Sequence, residues 1–113
     1  MHELSIALGI VKIAEDETAK AKAKKVTKIE LEIGSLAGVE IESLNFVWES
    51  AVKSTVLENA EKQIMLIEAK GKCIDCDTEF DMQFIYDTCP KCNSNFKGIL
   101  QGQELRVKAI EVI

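Results

Sequence analysis

The sequence predicts an α+β chain: two helices packed on a three-stranded sheet, with a small module built on two C-x-x-C knuckles inserted before the last strand. Three observations carry that expectation. Apolar residues recur at helical spacing in two separate stretches, while three other stretches alternate or are densely apolar in the manner of strands. All four cysteines fall within residues 71–102. With 113 residues and 47% apolar content, there is enough material for one modest core and a small appendage.

Over residues 3–22, Leu4, Ala7, Leu8, Val11 and Ala14 recur at intervals of three and four, and Ile6, Ile10 and Ile13 widen the apolar face. Side chains so spaced line one side of a helix, so an amphipathic helix should begin almost at the first residue. Residues 26–33 alternate, with Ile29, Leu31 and Ile33 facing one way and Lys28, Glu30 and Glu32 the other. They read as a half-buried strand, ended by Gly34 and Ser35. Ile41, Leu44, Val47, Trp48 and Ala51 return to the helical period and give a second helix to about Ser54. Asn59 then marks a turn. Residues 63–69 are apolar on both faces, Ile64 and Leu66 opposing Met65 and Ile67, as suits a strand covered on one side by helix. The last strand, residues 104–112, carries Leu105, Val107, Ile110 and Val112; its change of phase near Ala109 points to a bulge or to burial on both faces. The expected division is one α/β domain from residues 1–70 and 103–113, and an inserted domain from residues 71–102.

A net charge of -5 and a pI near 4.9 disfavour non-specific nucleic-acid binding, which depends on Lys and Arg to neutralise phosphates. The longest apolar stretch is too short and too interrupted by charge to cross a membrane, and the N-terminus lacks the basic flank and cleavage site of a secretory signal. A soluble, cytoplasmic protein is expected. In that reducing compartment, paired cysteines are metal ligands or redox centres more often than disulfides.

Cys73-Ile-Asp-Cys76 and Cys89-Pro-Lys-Cys92 are separated by enough chain for a strand, a turn and a return strand over residues 78–86, bringing the pairs face to face. Four thiolates in a tetrahedron suit Zn(II), and with every position filled there is no room for a reactive water, so the site reads as structural, a zinc-ribbon-like domain. A module this small has too little core to fold alone, and structural zinc contributes on the order of 10 to 16 kcal/mol in comparable peptides. Two other uses of the spacing fit less well. A nucleic-acid-binding ribbon conflicts with Asp75, Asp77, Glu79, Asp81 and Asp87 set against Lys72, Lys91 and Lys97. An iron electron carrier gives the long helical N-terminal part no role.

The chain opens Met1-His2-Glu3, and His2 is its one histidine. A second-position histidine is ordinarily an incidental surface residue. Its chemistry is nevertheless particular: the Met1 amine, the His2 amide nitrogen and the imidazole Nδ1 close a five- and a six-membered chelate ring in one plane. That field suits Ni(II) or Cu(II) over Zn(II), because only ions preferring square-planar nitrogen compensate for deprotonating a backbone amide. The Glu3 amide, its carboxylate or water is available as fourth ligand.

With these residues in view, the sequence resembles the HypA or HybF family of hydrogenase nickel-incorporation proteins. The resemblance runs essentially the full length: Met1-His2-Glu3-Leu4-Ser5, Leu31-Glu32-Ile33-Gly34, the two cysteine pairs, and Gln101-Gly102-Gln103-Glu104-Leu105-Arg106, in that order. It implies a nickel metallochaperone, not an enzyme, that works with a HypB-type GTPase to load Ni(II) into the [NiFe] hydrogenase large subunit, and in some organisms serves urease maturation. It further implies nickel at His2 with Met1 and Glu3 nearby, an acidic residue close to nickel at the position of Glu40, and zinc on Cys73, Cys76, Cys89 and Cys92. A monomer or weak homodimer fits this picture. Some relatives have a second histidine in the zinc domain that can join the nickel site; this chain has none to offer. The rival reading is an interaction adaptor whose zinc module and first helix scaffold other proteins.

Overall fold

The computed structural model describes residues 2–113. Its elements follow in the order α1 (Glu3–Lys20), β1 (Val26–Gly34), α2 (Ile41–Val52), β2 (Glu61–Ile67), β3 (Lys70–Cys73), β4 (Glu79–Asp81), β5 (Lys97–Gln101) and β6 (Leu105–Val112). The strands form two three-stranded sheets, ordered β2-β1-β6 and β4-β3-β5. The two helices, the sheet of long strands and the cysteine module are as the sequence leads one to expect. The chain divides into two compact units: Met1–Leu31, Val39–Ile64 and Val107–Ile113 form the first, and Glu32–Gly38 with Met65–Arg106 the second.

In the first unit, α1 packs on α2. The buried stripe of α1 is Glu3, Ala7, Ile10, Ala14 and Thr18. Leu4 and Leu8, expected on that stripe, are instead about half exposed, at 47% and 50%. The helix is apolar around much of its circumference, so spacing alone permits two faces; small Ala7 and Ala14 let the backbones approach closely, and that face is the one buried. The polar members of the stripe are satisfied, Thr18 Oγ1 donating to the Ala14 carbonyl at 2.7 Å. At its end the Ala23 amide reaches back to the Thr18 carbonyl and the Lys22 amide to that of Ala19, each at 3.0 Å. This is the closing motif that favours glycine, yet Lys22 occupies the left-handed position, with φ 55°. Helix α2 buries Leu44, Trp48, Ala51 and Val52.

The second unit holds the sheet β4-β3-β5. Strand β3 pairs antiparallel with β4 (Gly71 opposite Phe80) and with β5 (Cys73 opposite Lys97). The return strand expected within residues 78–86 does not form. Asp87 Oδ2 accepts from the Gln83 and Phe84 amides at 2.8 and 3.1 Å, and the Asp87 amide donates to the Phe84 carbonyl at 3.1 Å. A side chain that takes these amides offers the backbone a turn in place of a ladder. Two other departures have similarly local causes. Strand β2 begins and ends two residues before the expected range, and its Met65 and Leu66 are exposed. Strand β1 is buried on both faces at its end, where Leu31 to Gly34 are all buried; Glu32 is accommodated there by an ion pair with Arg106.

Ala69, Cys73, Phe80, Met82 and Cys89 form the core of the second unit, with Leu36 and Cys76 packed against it. Two glycines let backbone meet backbone beside it. A Cβ on Gly34 would lie 2.0 Å from the Gly102 carbonyl oxygen, and one on Gly102, whose φ is +115°, would lie 2.5 Å from Ala69 Cα. Hydrogen bonds from the Gly34 amide to the Glu104 carbonyl and from the Leu36 amide to that of Gly102, both 2.7 Å, close the contact.

Candidate metal sites

The cysteine cluster is built by two knuckles with the same hydrogen-bond pattern. The Cys73 amide donates to the Thr78 carbonyl and the Asp77 amide to the Cys73 carbonyl; in the second, Cys89, Ser94 and Asn93 repeat those bonds at the same spacing. Closing each turn requires a left-handed residue, supplied by Asp77 (φ 61°) and Asn93 (φ 62°). Among residues other than glycine, Asp and Asn accept that conformation most readily. The two turns bring all four sulfurs within 4.8 Å of one another. Cys73 Sγ is 3.5 Å from Cys92 Sγ, and Cys76 Sγ is 3.6 Å from Cys89 Sγ.

These separations are far beyond a disulfide bond, which needs about 2.05 Å, and match a thiolate tetrahedron around zinc, whose edges are about 3.8 Å for a metal to sulfur bond of about 2.3 Å. The electrostatics point the same way. The Thr78 hydroxyl and amide stabilise the Cys76 thiolate and pull its pKa down to about 6. The Ser94 amide lowers the Cys92 thiol, but crowding by Cys73, with burial and the other two sulfurs, wins and pushes it up to about 12. A divalent cation at the centre of the four sulfurs would favour the thiolate form of each. The Lys91 amide also points at Cys89 Sγ, at 3.4 Å. Cys73 and Cys89 are buried while Cys92 is exposed. The four sulfurs could hold a metal such as zinc.

At the other candidate site, His2 is exposed and occupies the N-cap of α1, where its carbonyl accepts from the Ile6 amide at 3.0 Å while its side chain makes no capping bond. The imidazole is thus not spent on the helix. Met1, whose amine would close the chelate, lies outside the described residues. Glu3 is only 4% exposed, and its Oε2 accepts from the Glu40 amide at 3.1 Å. Glu40 in turn caps α2, its Oε1 accepting from the Ser43 amide at 3.0 Å and from the Ser43 hydroxyl at 3.3 Å. The structure therefore joins Glu3 and Glu40 in one hydrogen-bonded link between the starts of the two helices. A cleft of about 510 Å³ opens there, lined among others by Glu3, Leu4, Glu42, Ser43 and Phe46.

The profile of the family described as "Hydrogenase/urease nickel incorporation, metallochaperone, hypA" matches residues 1–112. The chain belongs to the HypA family. A hydrogenase maturation factor HypA from Parabacteroides distasonis is 46% identical over 112 residues, covering 99% of this chain and 97% of that protein. One from Azotobacter chroococcum mcd 1 is 40% identical over 112 residues, covering 99% of each. The solution structure of the Ni metallochaperone HypA from Helicobacter pylori matches with a TM-score of 0.70 at 26% identity, over 100% of this chain and 98% of that one. HypA proteins are maturation factors and metallochaperones, not catalysts.

The sequence offers the cysteines, His2, Glu3 and Glu40 as candidates, but not what positions them. Asp77 and Asn93, each four residues after the first cysteine of its knuckle, were a readable signal for a left-handed closing residue. Thr78, Ser43 and Asp87 act through contacts that spacing does not reveal.

Proposed function

We propose that this chain is a nickel metallochaperone that takes Ni(II) as cargo at its N-terminus and delivers it during [NiFe] hydrogenase maturation. The Met1 amine, the His2 amide nitrogen and the His2 imidazole bind the ion, with Glu3 nearby. Full-length membership of the HypA family, with a histidine at position two whose side chain is exposed and uncommitted, is the observation that carries this reading. A terminal site with few protein ligands both binds and releases, which delivery demands and a closed cage does not allow. Because the imidazole and amine must be deprotonated to bind, acid releases the cargo. Glu40 contributes through the Glu3 link, with its Oε1 engaged in the α2 cap.

Cys73, Cys76, Cys89 and Cys92 hold zinc as a structural ion, and residues 71–102 are the zinc domain inserted into a domain formed by residues 1–70 and 103–113. The partners are a HypB-type GTPase and the hydrogenase large subunit, with urease maturation factors as further candidates, all in the cytoplasm. Among the described residues no helix is long and apolar enough to cross a membrane. The test is delivery in cells that lack their own HypA, at limiting nickel. The untagged wild-type chain restores nickel-dependent hydrogenase activity and His2→Ala does not; equal restoration by both would overturn the proposal.

A further inference from the structure

The cleft between the starts of α1 and α2 has an apolar wall that neither the fold nor metal binding uses. Leu4 and Phe46 both line it, and they are 47% and 86% exposed; Leu8, one turn along α1 from Leu4, is 50% exposed. Helix α2 turns Leu44, Trp48, Ala51 and Val52 into the core and leaves Phe46 outside it. Large apolar side chains gathered at one concave place, and not scattered singly, mark a surface that a partner covers.

Two observations select that partner. The first is position. His2 immediately precedes Glu3 and Leu4, which line the cleft, so a protein that draws nickel from His2 must bring its own ligand atoms to that residue and thereby lies over the cleft. The second is charge. With Glu3 turned onto the Glu40 amide, the charges at the rim are those of Glu40 and Glu42, both exposed. Residues 1–11 and 39–52 contain neither Lys nor Arg. Lys12, the first cation along α1, is paired with Asp16 at 3.6 Å, and Lys62, packed on α2, is held by Asn45 Oδ1 and lies 5.1 Å from the centre of the Trp48 ring, at residues that line a different cleft. We propose that the cleft is the docking site for the protein that receives the nickel, which seats an apolar side chain against Leu4 and Phe46 with a Lys or Arg beside it facing Glu42. A second copy of this chain would bring the same carboxylates against these, whereas a cation on the receiver is attracted. The inference rests on the metallochaperone reading, which requires a receiver, and adds where that receiver binds and by what chemistry.

The probe is the purified, nickel-free precursor of the hydrogenase large subunit, and its binding to the full chain loaded with zinc and nickel is followed by surface plasmon resonance at low and high salt. Phe46→Ser weakens the complex tenfold or more. Glu42→Lys weakens it as well and flattens its salt dependence. The nickel and zinc contents of both variants stay those of the wild type, since neither side chain is a metal ligand. Phe96→Ser, which removes a ring 69% exposed in the other unit, leaves the affinity unchanged. Wild-type affinity of both cleft variants would overturn the proposal, as would an equal loss in Phe96→Ser or a Phe46→Ser effect confined to self-association in sedimentation. Nickel stoichiometry of wild type against His2→Ala is read in parallel. If His2→Ala keeps its nickel while Phe46→Ser still loses the precursor, the metallochaperone reading falls and the docking cleft stands; if nickel depends on His2 while the precursor ignores both cleft variants, the docking cleft alone falls.

Discussion

Glu3 lies next to the histidine that carries the functional reading, and it is buried with its carboxylate on the Glu40 amide. Removing the acceptor of this part-buried amide costs the hydrogen bond and part of its desolvation, so Glu3→Ala should lower unfolding stability by about 1 kcal/mol in chemical denaturation. Glu3→Gln, which keeps an acceptor oxygen, should lose less. His2→Ala should leave stability unchanged, since its side chain makes no capping bond and is exposed. The contrast separates a residue that positions the site from one that binds the cargo. Sequence chemistry named both residues. It could not show that Glu3 faces inward, because burial of a carboxylate depends on the amide that another element brings to it.

At the scale of elements, two short motifs in the sequence have a packing explanation. Gly34 ends β1 and Gly102 precedes β6, and their backbones touch where any Cβ would collide. Gly34→Ala must displace backbone, and a loss of about 3 kcal/mol or more in thermal or urea unfolding is expected. Lys22→Gly should act oppositely: relieving a left-handed lysine at the end of α1 should raise stability by about 1 kcal/mol, read as a higher unfolding midpoint. Periodicity located both helices and the three long strands, since each repeats its signal over many residues. The strands β3 and β5 escaped because each has five residues or fewer, too short for a period to emerge. The absent return strand was hidden for a different reason: one aspartate side chain, that of Asp87, redirects the backbone.

For the whole molecule, the metal should govern one part of the chain more than the other. A four-sulfur cluster whose buried neighbours are few, Phe80 and Met82 chief among them, has little else to hold it. Chelation of zinc should therefore expose the Cys73, Asp77, Cys89 and Asn93 amides to hydrogen exchange while those of α1 stay protected. Loss of protection throughout both would contradict residues 71–102 as a separate zinc-dependent domain. The nickel site makes the sharper claim, because it assigns the cargo to one exposed side chain and a terminal amine. The direct measurement is calorimetric titration of Ni²⁺ into zinc-loaded protein with its native Met1, beside His2→Ala. Near-stoichiometric binding that disappears in the variant is the result expected; no binding, or equal binding by both proteins, would contradict the account and leave a zinc-stabilised adaptor in its place.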